Sequence, residues 1–222
     1  MDSILRKSLS KKNINGYGFW VIISIIFILL LYKAITFPVT NDEVPAAVYY
    51  MNFSVWEIMM FPDHEPNNHI LNTLLVKLFV FLFGNHQLVI RLPNLLSFLV
   101  YGTAIFRINK IVFKDDSIFF IPATLFFISN PYLLDFFGLS RGYGISCAVA
   151  TLSLSYLIYG YYYTKDKLVW IAYGLSFLAP YANFTLLVFW SATSIMVWFY
   201  FVAKAGRKPA QIIKPTLIIV VV

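Results

Sequence analysis

The stretch HILNTLLVKLFVFLFG, His69 to Gly84, decides how the rest of the chain is arranged. Its uninterrupted apolar part runs for about 14 residues, which as a helix rising 1.5 Å per residue reaches about 21 Å. A bilayer span needs about 20 apolar residues to cross roughly 30 Å of hydrocarbon. Length is ambiguous here, and charge chooses. If this helix stays on the side where the preceding span emerges, one face holds Arg6, Lys7, Lys11, Lys12, Arg107, Lys110, Lys114, Lys165, Lys167, Lys204, Arg207, Lys208 and Lys214, which is 13 of the 17 basic residues. If it crosses, every later loop changes side, and that face keeps only the first four with Arg91 and Arg141. Positive charge collects on the cytoplasmic side of membrane proteins. The segment therefore reads as a juxtamembrane helix, 69–84, resting on the outer leaflet.

Composition supports a membrane protein on both sides of that stretch. Of 222 residues, 60% are apolar and 12% charged, against roughly a quarter charged in soluble domains. The net charge of +7 sits in short clusters between apolar runs, which speaks for topology and against nucleic acid. Cys147, the single cysteine, lies in an apolar run, so no intrachain disulfide forms. The first run, 18–37, follows Arg6, Lys7, Lys11 and Lys12, exceeds a usual signal core and lacks a small-x-small cleavage site after it. It reads as a retained signal anchor with the amino terminus in the cytoplasm. Further spans are expected near 91–113, 117–134, 144–164, 168–181 and 184–203. Another begins at 215, and the chain stops inside it; a complete protein seldom ends in mid-membrane, so a partial domain is expected. The fold class is all-α, a polytopic transmembrane helix bundle with juxtamembrane helices in the first outer loop, in the inner (plasma) membrane.

The polar residues that remain fall on the outer side. Asp42 and Glu43 follow the first span by a few residues, where a carboxylate held at the membrane surface can act as general base towards a hydroxyl. The alternative is a solvated start to an acidic loop. His64, Glu65, Asn68 and His69 belong to a polar run before the juxtamembrane helix, either capping it or forming a wall of a substrate site. No spacing there matches a zinc motif. Arg141, the only basic residue of the second outer loop, runs against the topological bias and needs a partner: Asp135, a lipid headgroup, or a phosphate held by a bidentate grip. Lys33 and Lys77 can reach the same level by snorkelling. Arg91-Leu92-Pro93-Asn94 reads as architectural. Asn52-Phe53-Ser54 and Asn183-Phe184-Thr185 match glycosylation triplets, which are common by chance.

In order along the chain, Asn41-Asp42-Glu43, Glu65-Pro66-Asn67-Asn68-His69-Ile70-Leu71, Leu82-Phe83-Gly84, Arg91-Leu92-Pro93-Asn94 and Ser140-Arg141-Gly142-Tyr143 resemble the amino-terminal half of GT-C-fold glycosyltransferases. The similar branch is that of the protein O-mannosyltransferases and the lipid A aminoarabinose transferase. The resemblance makes residues 1–222 a partial GT-C-like transmembrane domain. It implies a polyprenyl-phosphate-linked sugar as donor and a lipid, glycan or protein acceptor on the extracytoplasmic face. The family's acidic motif falls on Asp42 and Glu43, with Asp42 as base. Its Arg-x-Tyr element falls on Arg141 and Tyr143, implying contact with the donor phosphate, and Asn68-His69-Ile70-Leu71 loosely matches its His-Pro-Pro-Leu stretch.

The expected reaction is an inverting transfer. Asp42 deprotonates the acceptor hydroxyl, and Arg141, aided by Tyr143 and by Lys77 or a divalent cation, stabilises the leaving phosphate. The one cofactor considered is that divalent cation, and no metal ligands are assigned. Tyr49, Tyr50 and Trp56 are candidates to line the sugar site or to anchor the loop at the interface. The rival expectation is a membrane protein without chemistry: a transporter or lipid-handling protein, marked by mid-membrane charges and broken helices, or an inactive fragment of a transferase.

Overall fold

A computed structural model describes residues 2–60, 69–205, 213, 215, 216, 218 and 219. The described residues form helices joined by short turns, with no strand among them. The first helix, α1 (Asp2–Thr36), is a continuous apolar rod over Ile14–Thr36 and stops two residues before Pro38, where the proline ring disfavours helical backbone. A short π-turn (Pro45–Tyr49), a 3-10 turn (Tyr50–Asn52) and α2 (Val55–Met59) follow. Ser54 and Glu57 close α2 with a reciprocal capping box. The juxtamembrane segment is α3 (Ile70–Phe83), as its apolar run predicts.

α4 (Gln87–Val112) begins four residues earlier than the sequence suggested. Arg91 consequently lies inside the helix, one turn below its start, and is fully buried. The expected span 117–134 is broken: α5 (Phe120–Ile128) and α6 (Pro131–Gly138) meet at 63°, and Asp135 sits on α6 instead of in a loop. α7 (Tyr143–Tyr163), α8 (Asp166–Ala182) and α9 (Leu187–Ala205), preceded by the 3-10 turn Phe184–Leu186, have the expected helical bounds to within a few residues, although α8, at 17 residues, is shorter than the helices that qualify as spans. The span expected from 215 lies mostly outside the described residues.

Among the described residues, four helices are long and apolar enough to cross a membrane, five if the bent α5–α6 pair counts as one span. The chain is a multi-pass membrane protein. Contacts between helix ends give the path. Gln87 Nε2 at the start of α4 donates to the Ala34 and Ile35 carbonyls at the end of α1, each at 3.1 Å. Residues 38 and 86 therefore lie at one end of the bundle, and α3 does not cross. At the other end, Asn15 Nδ2 donates to the Asp115 and Ser117 carbonyls, at 2.8 and 3.0 Å, so α4 and α5 join there. Ser140 and the Ala182 carbonyl return to the first end, while Asp166 meets Tyr200 and Lys204 at the second.

Three buried clusters hold the bundle; the smallest, Ala47, Val76 and Ile90, packs the π-turn and α3 on α4. Phe19, Ile23, Leu95, Phe98, Ile105, Phe120 and Phe137 join α1, α4, α5 and α6, and Leu157, Val169, Ala172, Val197 and Phe201 join α7, α8 and α9. Within lipid, apolar contact adds little over lipid contact, so close packing and polar links matter more. One such link runs from Ser153 Oγ on α7 to the Ala172 carbonyl on α8, at 2.7 Å.

Candidate functional site

The end of the bundle where α1 stops and α7 begins gathers the polar residues of three distant segments. Asp42 and Glu43 come from the turn after α1, His69 from the residue before α3, and Ser140-Arg141-Gly142-Tyr143 from the turn between α6 and α7. The two neighbouring carboxylates have different surroundings.

Glu43 is wholly buried. Its Oε1 accepts from Arg91 Nε at 2.7 Å and from the Ser140 backbone N–H at 2.8 Å. Its Oε2 accepts from Arg91 Nη2 at 2.7 Å and from the Thr40 N–H and hydroxyl at 2.9 and 3.2 Å. Arg91 spends its remaining donors on the Ala34, Phe37 and Pro38 carbonyls at 2.8–3.0 Å, which ends α1. All five guanidinium N–H groups are satisfied. Burial by itself would raise the Glu43 carboxyl. The Arg91 hydrogen bonds, the Thr40 and Ser140 N–H groups and the guanidinium charge outweigh it and hold the group below the usual carboxylate range. A carboxylate so saturated is a poor base. Its geometry ties the turn after α1 to α4 and to the α6–α7 turn.

Asp42 forms an ion pair with Arg141 and is 46% exposed, with Arg141 at 32%. This pair joins the expected base to the expected phosphate ligand. Asp135, a candidate partner of Arg141, is instead paired with Lys33. The Arg141 guanidinium also stands 5.9 Å from the centre of the Tyr143 ring, whose other neighbours are His69 and Phe136, each at 4.9 Å.

The turn that presents Arg141 depends on two glycines. Gly142 has φ +72°, and a Cβ there would lie 2.7 Å from His69 Cβ and 2.9 Å from the Ala182 carbonyl. A Cβ on Gly144 would meet the Phe136 carbonyl at 2.6 Å and Asn94 Oδ1 at 3.0 Å. Asn94 in turn accepts from the Ile145 N–H at 3.3 Å and donates to Asn72 Oδ1 at 2.6 Å, fixing the start of α7 to α3 and α4. His69 is 8% exposed. Desolvation lowers its pKa first; the Ala182 carbonyl opposes this and the Arg141 charge adds to it.

Lys77 is engaged elsewhere, donating to the Met51 and Phe53 carbonyls at 2.7 and 2.8 Å. It anchors the 3-10 turn to α3. Tyr50 is buried, whereas Trp56 is 67% exposed. His64, Glu65 and Asn68 lie outside the described residues. Among the described residues no three His, Cys, Asp or Glu side chains stand close enough to hold a metal ion. Below the polar cluster, Leu75, Phe79, Pro93, Val100, Ile145 and Val149 line an apolar cleft of about 270 Å³ between α3, α4 and α7. Reasoning from the sequence took Arg91 as architectural but missed that Glu43 is its partner. No spacing connects residues 48 positions apart, although an arginine one turn inside a span demands an acid somewhere.

Comparison of the chain with protein-family models, curated proteins and solved structures returns no match.

Proposed function

We propose that this protein transfers a sugar from a polyprenyl-phosphate donor to a hydroxyl on the extracytoplasmic face of the membrane. The observation that carries the reading is the meeting of Asp42, His69, Arg141 and Tyr143, from three separated segments, at one end of a membrane bundle. The apolar cleft opening below suits the tail of a lipid donor. The excess of basic residues at the opposite end supports an outward-facing site.

In the reaction, Asp42 takes the proton of the acceptor hydroxyl as its oxygen attacks the anomeric carbon from the face opposite the phosphate. A new glycosidic bond forms with inversion, the carbon–oxygen bond to phosphate breaks, and its electron pair leaves with the polyprenyl phosphate. Arg141 neutralises the charge that develops there, and such stabilisation is commonly the largest part of catalysis. Glu43 and Arg91 hold the turn that carries Asp42. Membranes bearing the chain are incubated with a radiolabelled polyprenyl-phosphate sugar. Label moves to an acceptor with the parent, and Asp42→Asn lowers transfer by at least about 100-fold, the scale of losing a general base, with membrane insertion unchanged. A variant with parental turnover removes Asp42 from the role.

The break between α5 and α6 favours a second reading, movement of a lipid-linked substrate without chemistry, because broken spans recur at transport sites. In that case label changes sides of the membrane and stays on its lipid.

A further inference from the structure

Two ion pairs lie at the same end of the bundle, and they are built for different tasks. In the Glu43–Arg91 pair every donor and acceptor is used, and neither side chain meets solvent. Asp42 and Arg141 are linked by a single guanidinium nitrogen, Nη2, to a single carboxylate oxygen, Oδ2. Both side chains are partly open to solvent. One pair fixes the fold; the other, among the described residues, leaves most of its hydrogen-bonding capacity unspent.

We propose that the Asp42–Arg141 pair is a latch that the donor's phosphate opens. The inference rests on the transferase reading and assigns that site a regulatory step. In the resting site the guanidinium holds the carboxylate, so Asp42 is turned away from any acceptor. A phosphate has more oxygens and more charge than a carboxylate and can take two parallel N–H donors from the guanidinium. It displaces Asp42 from Arg141. The freed carboxylate, repelled by the incoming anion, turns outward as an unpaired base. Binding of the donor thus creates the base that the acceptor needs, and an acceptor hydroxyl meeting the empty site finds the carboxylate occupied. The neighbours support a swinging group: the Gly142 backbone and the Tyr143 ring are packed, while Asp42 belongs to a solvent-facing turn.

A latch makes a prediction opposite in sign to that of a simple binding residue. If Asp42 competes with phosphate for Arg141, its removal tightens phosphate binding. A partly exposed ion pair is worth up to roughly 1 kcal/mol, or about fivefold in affinity. The purified full chain in nanodiscs is titrated with a polyprenyl monophosphate carrying no sugar, with the corresponding polyprenol as a control for the tail and inorganic phosphate as a competitor. Asp42→Asn binds the polyprenyl phosphate about two- to fivefold tighter than the parent. Arg141→Gln and Arg141→Lys both bind it at least about tenfold weaker, since neither supplies the planar fork. Polyprenol shows none of these differences. Competition by millimolar inorganic phosphate marks the headgroup as the recognised part; binding lost only with the tail places recognition in the lipid and overturns the latch. Equal or weaker binding by Asp42→Asn, with Arg141 still required, overturns the latch and leaves the transferase reading standing. Phosphate-independent binding in the parent and in Asp42→Asn alike overturns both.

Discussion

At the scale of residues, the carboxylates of Asp42 and Glu43 are adjacent in the chain, and burial alone separates their roles. An ionised group taken out of water survives only if its charge and its lone pairs are matched, and Arg91 with the Thr40 and Ser140 N–H groups supplies that match for Glu43. Removing one member leaves the other charged, buried and alone. Arg91→Met therefore lowers unfolding free energy by about 3–5 kcal/mol, measured by chemical unfolding in detergent. Adding Glu43→Leu restores part of the loss, because the double variant buries no unpaired charge. A single variant within about 1 kcal/mol of the parent, the range of exposed pairs, would show the pair to be inert. The pH dependence has a definite sign. The folded state holds the Glu43 carboxyl below its ordinary value of 4.5, so the unfolded chain takes up its proton first. The pair's contribution is complete above that ordinary value and drains away as the pH falls through the depressed one. Glu43→Gln removes this part of the acid slope.

At the scale of elements, the α5–α6 pair poses the sharper problem, because a lipid-facing break exposes backbone groups that hydrocarbon cannot satisfy. The chain meets this locally. Asn130 Oδ1 accepts from the Tyr132 and Leu133 N–H groups at 3.0 and 3.4 Å, and the Phe127 carbonyl accepts from Tyr101 across the bundle at 2.8 Å. The two halves still run in sequence from one end of α1 towards the other. Phe120 packs near Phe19 at one end and Gly138 near Leu30 and Lys33 at the other, about 16–21 Å apart along α1 at 1.5 Å per residue. Asn130→Ala costs about 1 kcal/mol as a lost helix cap, and the loss shows in the same unfolding measurement; an unchanged stability would mean that lipid or water caps α6 instead. This break was legible and passed over. Ser129-Asn130-Pro131 is a cap followed by a first-turn proline, but it lies inside a run apolar enough to read as one span. The long rods α1, α4, α7 and α9 were legible because each carries a stretch of eighteen residues of high mean hydropathy, which leaves little choice. Glu43 was found as a site residue and given the wrong surroundings, since a turn of two acids looks solvated until α4 begins at Gln87 and draws Arg91 inside.

At the scale of the whole molecule, charge asymmetry and helix contacts give the same path by independent routes. Four basic residues depart from the bias, Lys33, Lys77, Arg91 and Arg141, and each is held by a partner at the site end: Asp135, the Met51 and Phe53 carbonyls, Glu43 and Asp42. A cation neutralised or fully hydrogen-bonded within the fold carries little topological signal, so these four do not oppose the bias. The clusters left at the far end, among them Lys114, Lys165 and Lys167, carry the bias, which predicts that this end faces the cytoplasm. Gln87 bonding to the last turn of α1 makes the same statement in geometry, because a crossing α3 would place residues 36 and 87 on opposite surfaces. With Cys147 replaced by serine, single cysteines at positions 42, 86, 114 and 165 can be probed in intact cells with a membrane-impermeant maleimide. Positions 42 and 86 react from outside and positions 114 and 165 only after permeabilisation. Reaction of 42 and 86 from opposite sides would make α3 a span and dissolve the site, since Asp42 and Arg141 could then no longer share a surface. Reaction of 42 and 86 together from the cytoplasm would keep the site and reverse its sidedness, leaving no route to an extracytoplasmic acceptor.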